Sequence, residues 1–259
     1  MNLNRIVIVG GGSSIRQGLW TTPVKDLELW KKLDTQYTIG INFLYQFYTP
    51  SFLSFCDYDF YLNNKKDLDK LPLIVGRYDT QLKRQLSKWE DNLILLKSTG
   101  QYFGHNSWTH GFYSGVLTGV FVISVAICLG FKEIYLLGYD YTHLDSHTHF
   151  YQDEVDLKET KGKGVLKYRG VGTKIKNGKL QCICQYYNGD PALKFDAFKS
   201  EMLNVKIVNV CPQSKIATFP KIDYPEFYEI IKNDEIKNQT EFRDYVTNTV
   251  LAKRANNAK

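Results

Sequence analysis

Apolar residues in this chain come mostly in short unbroken runs that end in glycine or a small polar residue, and the first of them sets the pattern: Arg5-Ile-Val-Ile-Val-Gly-Gly-Gly-Ser-Ser14. Four β-branched residues without a polar break predict a strand covered on both faces, the kind found in a parallel sheet between helices. Similar runs predict strands at Tyr37–Asn42, Leu73–Gly76, Leu93–Leu96, Glu133–Gly138 and Val205–Val210. Cys56–Tyr61 reads as a further short strand, and Pro50-Ser51 as the start of a helix-like segment. Helices are predicted at Pro23–Leu33, Asp79–Trp89, Ser114–Leu129 and Pro191–Leu203. The third is apolar on every side, which requires burial, and Gly130 is placed to end it.

Strands alternating with helices give the expected fold: α/β, Rossmann-like, a mostly parallel sheet flanked by helices. The texture changes after Tyr141. Thr142–Lys179 is rich in His, Asp, Lys and Gly and poor in apolar residues, so 142–187 reads as an inserted lid, with a hairpin turning at Asn177-Gly178. Residues 1–223 form the expected nucleotide-binding domain, and 224–259 a helical, polar tail that docks loosely or frays.

Composition narrows this picture only modestly. A chain of 259 residues suffices for one large α/β domain. The net charge of +6 fits an anionic ligand, but it also fits an ordinary lysine-rich protein. Five scattered cysteines (56, 128, 182, 184, 211) suit reduced, partly buried thiols rather than a disulfide framework or a zinc site. Met1–Asn4 holds no apolar leader and Gly115–Leu129 is short for a bilayer span, so a cytoplasmic protein without a transmembrane segment is expected.

The candidate chemistry lies where strands end, because ligands of open α/β sheets bind outside the carboxyl ends of the strands. Gly10, Gly11, Gly12, Ser13 and Ser14 read as a backbone cradle for a phosphate or ribose. The fingerprint's third glycine is replaced by Ile15, and the second strand ends in Asn42 rather than an acid, which argues against a dinucleotide. Asn42, Asp57, Thr118 and Gly138 complete the expected nucleotide-binding set. Asp140 and His149 are the expected groups at the reacting centre, with Tyr141 or Tyr151 on the leaving phosphate. His143, Asp145, His147 and His149 could ligate a metal, but histidines in a loop beyond a strand read better as substrate-facing or solvated groups. No metal site and no tightly bound cofactor are expected.

Thr118-Gly-Val-Phe-Val-Ile-Ser-Val-Ala-Ile-Cys-Leu-Gly-Phe-Lys-Glu-Ile-Tyr-Leu-Leu-Gly-Tyr-Asp140 resembles the bacterial lipooligosaccharide sialyltransferases, in which a small-residue helix, a similar strand and a terminal Gly-x-Asp follow in the same order. Gly10–Ser14, Ile41-Asn42 and the Cys211-Pro-Gln-Ser214 turn are similar to other motifs of that family. Gly115 stands where the family has an arginine, and Tyr187 where it has a histidine base. The glycine loop, Gly138–Tyr141 and Thr148–Tyr151 also resemble the group of hydroxymethylpterin pyrophosphokinase-like proteins and motility accessory factors.

The first resemblance implies transfer of a sugar from a nucleotide sugar, such as a sialic-acid-like sugar from a CMP donor, to a hydroxyl acceptor such as a glycan. The second implies ATP-dependent pyrophosphoryl transfer, with Asp57 and Asp140 on Mg²⁺. A non-catalytic nucleotide or nucleic-acid binder is a third expectation, suggested by the basic lid. A homo-oligomer is expected in each case.

Overall fold

The computed structural model describes residues 3–16, 28–78, 91–100, 108, 111–115, 117–142, 149–150, 173–176, 179–182, 190–200, 202 and 204–257. Its centre is a seven-stranded, wholly parallel sheet ordered β11-β8-β1-β2-β3-β4-β5. The strands are β1 (Arg5–Val9), β2 (Thr38–Ile41), β3 (Phe52–Phe55), β4 (Ile74–Arg77), β5 (Leu93–Leu96), β8 (Glu133–Leu137) and β11 (Lys206–Asn209). Among the described residues two small pairs stand apart from it: parallel β6 (Ser98–Gly100) with β7 (Phe112–Tyr113), and antiparallel β9 (Thr173–Lys176) with β10 (Lys179–Cys182), Lys176 opposite Lys179; the expected turn residues Asn177 and Gly178 lie outside the described residues.

The helices are α1 (Glu28–Leu33), α2 (Tyr58–Leu68), α3 (Thr118–Leu129), α4 (Tyr224–Ile231) and α5 (Gln239–Asn257), with 3-10 turns at Asn42–Gln46 and Pro191–Phe198. Sheet alternation divides the core. Ile6, Ile8, Ile134 and Leu136 face the side that holds α3, whereas Val7, Val9, Tyr135 and Leu137 face the side that holds α1 and α4. Both faces are therefore dry, which is why the strands carry unbroken apolar runs. The chain winds outward from β1 to β5 and returns beside β1 as β8, so the order reverses between β1 and β8, the place where such sheets open a crevice.

Three expectations are corrected. Pro50-Ser51 leads into strand β3 rather than a helix, because Ser51 and Thr38 exchange bonds that hold the segment against β2: Ser51 N–H to Thr38 Oγ1 at 2.9 Å and Thr38 N–H to Ser51 Oγ at 2.8 Å. Cys56–Tyr61 is not a strand. Helix α2 begins at Tyr58, and its Phe60 and Tyr61 close over Phe55 with ring centroids 6.1 and 5.1 Å away.

The tail is built into the core rather than loosely docked. Phe242, Val246 and Val250 are buried with α3, Phe242 lying 4.5 Å from the Tyr37 ring and 5.6 Å from Phe131. Tyr224, Phe227 and Ile231 cover the opposite face. At the amino edge of the sheet, Arg5 ties the tail down through Glu133 (3.0 Å) and Asp234 (2.7 Å). Among the described residues no helix is long and apolar enough to cross a membrane.

Candidate functional site

The glycine loop after β1 is fastened to the end of β8. Gly10 N–H donates to Leu137 O (2.7 Å) and Gly12 N–H to Gly138 O (3.0 Å), Gly138 itself turning at φ +68°. The fastening continues through Asp140, whose side chain lies beneath the loop and is buried. Ser13 Oγ donates to Asp140 Oδ2 (3.2 Å), Ser14 N–H donates to the same oxygen (2.7 Å), and Ser14 Oγ donates to Oδ1. Burial pushes the Asp140 carboxyl upward, against the bonds from Ser14 and Ser13 that favour its charge.

This arrangement narrows the expected cradle. The N–H groups of Gly10, Gly12 and Ser14 are spent inside the protein, and those of Gly11 and Ser13 have no partner among the described residues. Asp140 sits where the sequence places it, but it holds the loop, with both oxygens already accepting bonds.

Among the described residues two with side chains take left-handed backbone conformations, and both follow strands that flank β1: Asn42 after β2 and Tyr141 after β8, each at φ +50°. Asparagine tolerates that region; a bulky tyrosine is strained there, and such strain concentrates at functional sites. Asn42 Oδ1 is also buried and has no hydrogen-bond partner among the described residues. A buried amide oxygen left unpaired costs stability, so it marks a place where a ligand donor would be welcome.

Tyr141 packs against Phe195 (5.0 Å), and burial pushes its hydroxyl pKa up, so it stays protonated. Its hydroxyl lies over the first turn of α3, only 3.2 Å from where a Cβ on Gly119 would be. That helix starts at Thr118 without a side-chain cap or an acidic residue in its first turn, leaving its amino end electropositive at the carboxyl edge of the sheet. Thr118 bonds Cys56, whose thiol burial raises to about 12. Asp57 precedes α2; burial raises its carboxyl and the positive charge of Arg77 opposes that rise.

His149-Phe150 is the described part of the segment beyond Tyr141, and it reaches the same loop. Phe150 N–H donates to Gly11 O (3.0 Å), Arg16 Nε donates to Phe150 O (2.9 Å), and the Phe150 ring lies between Trp30 and Phe47. His149 is thereby held beside the cradle, where burial lowers its imidazole to about 4 and keeps it neutral near pH 7. The linkage has a definite sign: the unfolded imidazole binds protons near 6.5, the folded one only near 4, so stability is complete above 6.5 and lost as pH falls toward 4. The residue as a whole is only partly buried, so the expected loss is on the order of 1–2 kcal/mol. It should be absent in His149→Phe, as read from urea midpoints at pH 7 and pH 4.5.

The structure thus gathers Gly11, Ser13, Asn42, Thr118, Tyr141 and His149 along the carboxyl edge around β1, with Asp57 farther out, just beyond the end of β3. Tyr151, His143, Asp145, His147, Tyr187 and most of the basic lid lie outside the described residues. Asp57 and Asp140 cannot share one Mg²⁺: they follow β3 and β8, three strand positions or roughly 14 Å apart, whereas the ion's ligands sit about 2 Å from it. Gly115 turns at φ +48°, with a Cβ position 3.1 Å from the Tyr113 hydroxyl, so an arginine would be strained there. Sequence reading missed Arg77, whose only signal is to be the first charge after an apolar strand, and the anchoring role of Phe150.

No family model and no curated protein matches the chain. Solved structures do. The monofunctional alpha-2,3-sialyltransferase Cst-I from Campylobacter jejuni is similar with a TM-score of 0.50 and 16% identity, over 98% of this chain and 96% of that one. A variant of the sialyltransferase CST-II in complex with CMP gives 0.46 and 16%, over 91% and 89%. CstII from Campylobacter jejuni, in complex with a substrate analogue, CMP-3FNeuAc, gives 0.41 and 15%, over 85% of each chain. The likeness to Cst-I runs through nearly the whole of both chains, and what this chain shares with it is the fold: a mostly parallel sheet flanked by helices.

Proposed function

We propose that this protein is a glycosyltransferase that moves a sugar from a nucleotide donor, CMP-linked by preference, to a hydroxyl acceptor. The observation that carries the reading is Asn42: a left-handed residue at the crevice edge whose buried Oδ1 has no donor among the described residues. A ribose hydroxyl or base amine would supply one. Opposite it, the unspent N–H groups of Gly11 and Ser13 and the amino end of α3 suit a phosphate. The fold shared with Cst-I supports the same reading.

In this scheme the acceptor oxygen attacks the anomeric carbon, the bond from that carbon to the phosphate oxygen breaks, and the nucleotide leaves. Neutral His149 takes the acceptor's proton. Tyr141, kept protonated by burial, donates a hydrogen bond to the departing phosphate. Asp140 acts through the loop that it holds. The pyrophosphokinase alternative loses its shared metal site, since Asp57 and Asp140 stand too far apart.

Thermal shift against CMP, UDP, GDP and ADP tests the reading. CMP is expected to raise the melting temperature of the wild type, and Asn42→Ala to bind it about tenfold more weakly, the value of one buried hydrogen bond. Equal stabilisation of both forms would show that the site lies elsewhere.

A further inference from the structure

The carboxyl ends of four adjacent strands form a row: the glycine loop after β1, Asn42 after β2, Asp57 after β3, and Arg77 at the last position of β4. Neighbouring strands lie about 4.8 Å apart, so the row runs roughly 14 Å from the loop to Arg77. That is the scale of a nucleotide with a sugar attached. Arg77 is in register with Leu96 and half-buried, and its guanidinium makes no hydrogen bond or ion pair among the described residues.

The guanidinium of Arg77 thus offers five N–H donors that have no acceptor among the described residues. Asp57 is the neighbouring carboxyl: burial raises its pKa and the positive charge of Arg77 opposes that rise, but the two form no ion pair within 4.0 Å. The same corner holds Cys56, the residue before Asp57, whose thiol is paired with Thr118 at the start of α3.

The geometry points to Arg77 as the residue that binds an anionic oxygen pair on the part of the donor farthest from its nucleoside. The inference rests on the nucleotide-sugar reading above. A guanidinium fork suits either a sugar carboxylate or a second phosphate, because both offer two oxygens at matching spacing. It thereby selects among donors that share one nucleoside.

Calorimetric titration of the wild type, Arg77→Gln, Arg77→Lys and Asn42→Ala tests this. The probes are CMP, a fluorinated CMP-linked sugar acid that resists transfer, its neutral carboxamide, and a UDP-linked neutral hexose. The wild type should prefer the sugar acid to the carboxamide by about tenfold, the worth of a charge-assisted hydrogen bond. Arg77→Gln should shrink that preference to about twofold or less, Arg77→Lys should retain part of it, and CMP should bind both as it binds the wild type.

Were the second phosphate the partner, Arg77→Gln would instead weaken the UDP-hexose and leave the preference for the acid unchanged. Arg77 has no such role if Arg77→Gln binds every probe like the wild type, or weakens CMP as much as the rest. In that case CMP binding that is lost in Asn42→Ala still upholds the nucleotide reading. A wild type that binds none of the four probes overturns the nucleotide reading and the Arg77 assignment together.

Discussion

Asp140→Ala is expected to lower unfolding stability by about 3–5 kcal/mol, because it strands several buried donors at once. The Asp140 carboxylate, only 2% exposed, accepts from Ser13 Oγ, from Ser14 N–H at 2.7 Å and from Ser14 Oγ. The hydroxyls can turn elsewhere, but the Ser14 N–H cannot. Asp140→Asn keeps an acceptor of the same shape and escapes the desolvation that raises the carboxyl's pKa, so it should cost less than about 1 kcal/mol. Urea midpoints at unchanged m-value check both figures.

The sign of the pH dependence is equally specific. A carboxyl whose folded pKa lies above its unfolded value contributes stability below the unfolded pKa and loses it as pH rises through the folded one. Asp140→Asn should remove that loss. If Asp140→Ala proved as stable as the wild type, the loop would not depend on this clamp.

Gly12→Ala is the second large effect, and its cause is steric. A Cβ at Gly12 would stand 2.6 Å from Gly138 O and 2.7 Å from the Asp140 carboxyl, neither of which is the free end of a flexible side chain. Either the loop lifts off β8, breaking the 3.0 Å bond from Gly12 N–H to Gly138 O, or the Asp140 carboxyl moves away from Ser14. Both outcomes cost about 2–4 kcal/mol. The variant should also lose CMP-dependent stabilisation, since the N–H groups of Gly11 and Ser13 would no longer be held in place. A Gly12→Ala protein with wild-type stability and wild-type CMP response would show that the loop tolerates opening.

Some of this molecule is readable before folding. The unbroken Val/Ile runs give β1 and β8 because residues buried on both faces leave no place for a polar one. An all-round apolar stretch closed by Gly130 gives α3. Residues 50–61 misled the reading, since a four-residue apolar run carries too little periodicity to separate strand from helix. Here Thr38 decided for Ser51, and Phe55 for Phe60 and Tyr61. In the tail, Phe242, Val246 and Val250 form a stripe at helical spacing, but its partners Tyr37 and Phe131 come from distant parts of the chain.

The same division runs through the site. By itself the sequence determined that this is an α/β chain with a glycine loop after its first strand and polar residues at strand ends, because backbone periodicity and turn chemistry are local properties. Only the tertiary structure decided what those residues do. It spent Asp140 on Ser14, 126 positions away, left Asn42 Oδ1 without a donor among the described residues, and set Arg77 in the same row as the loop. Hydrogen-bond supply and demand in a buried crevice is a sum over partners that only the fold brings together.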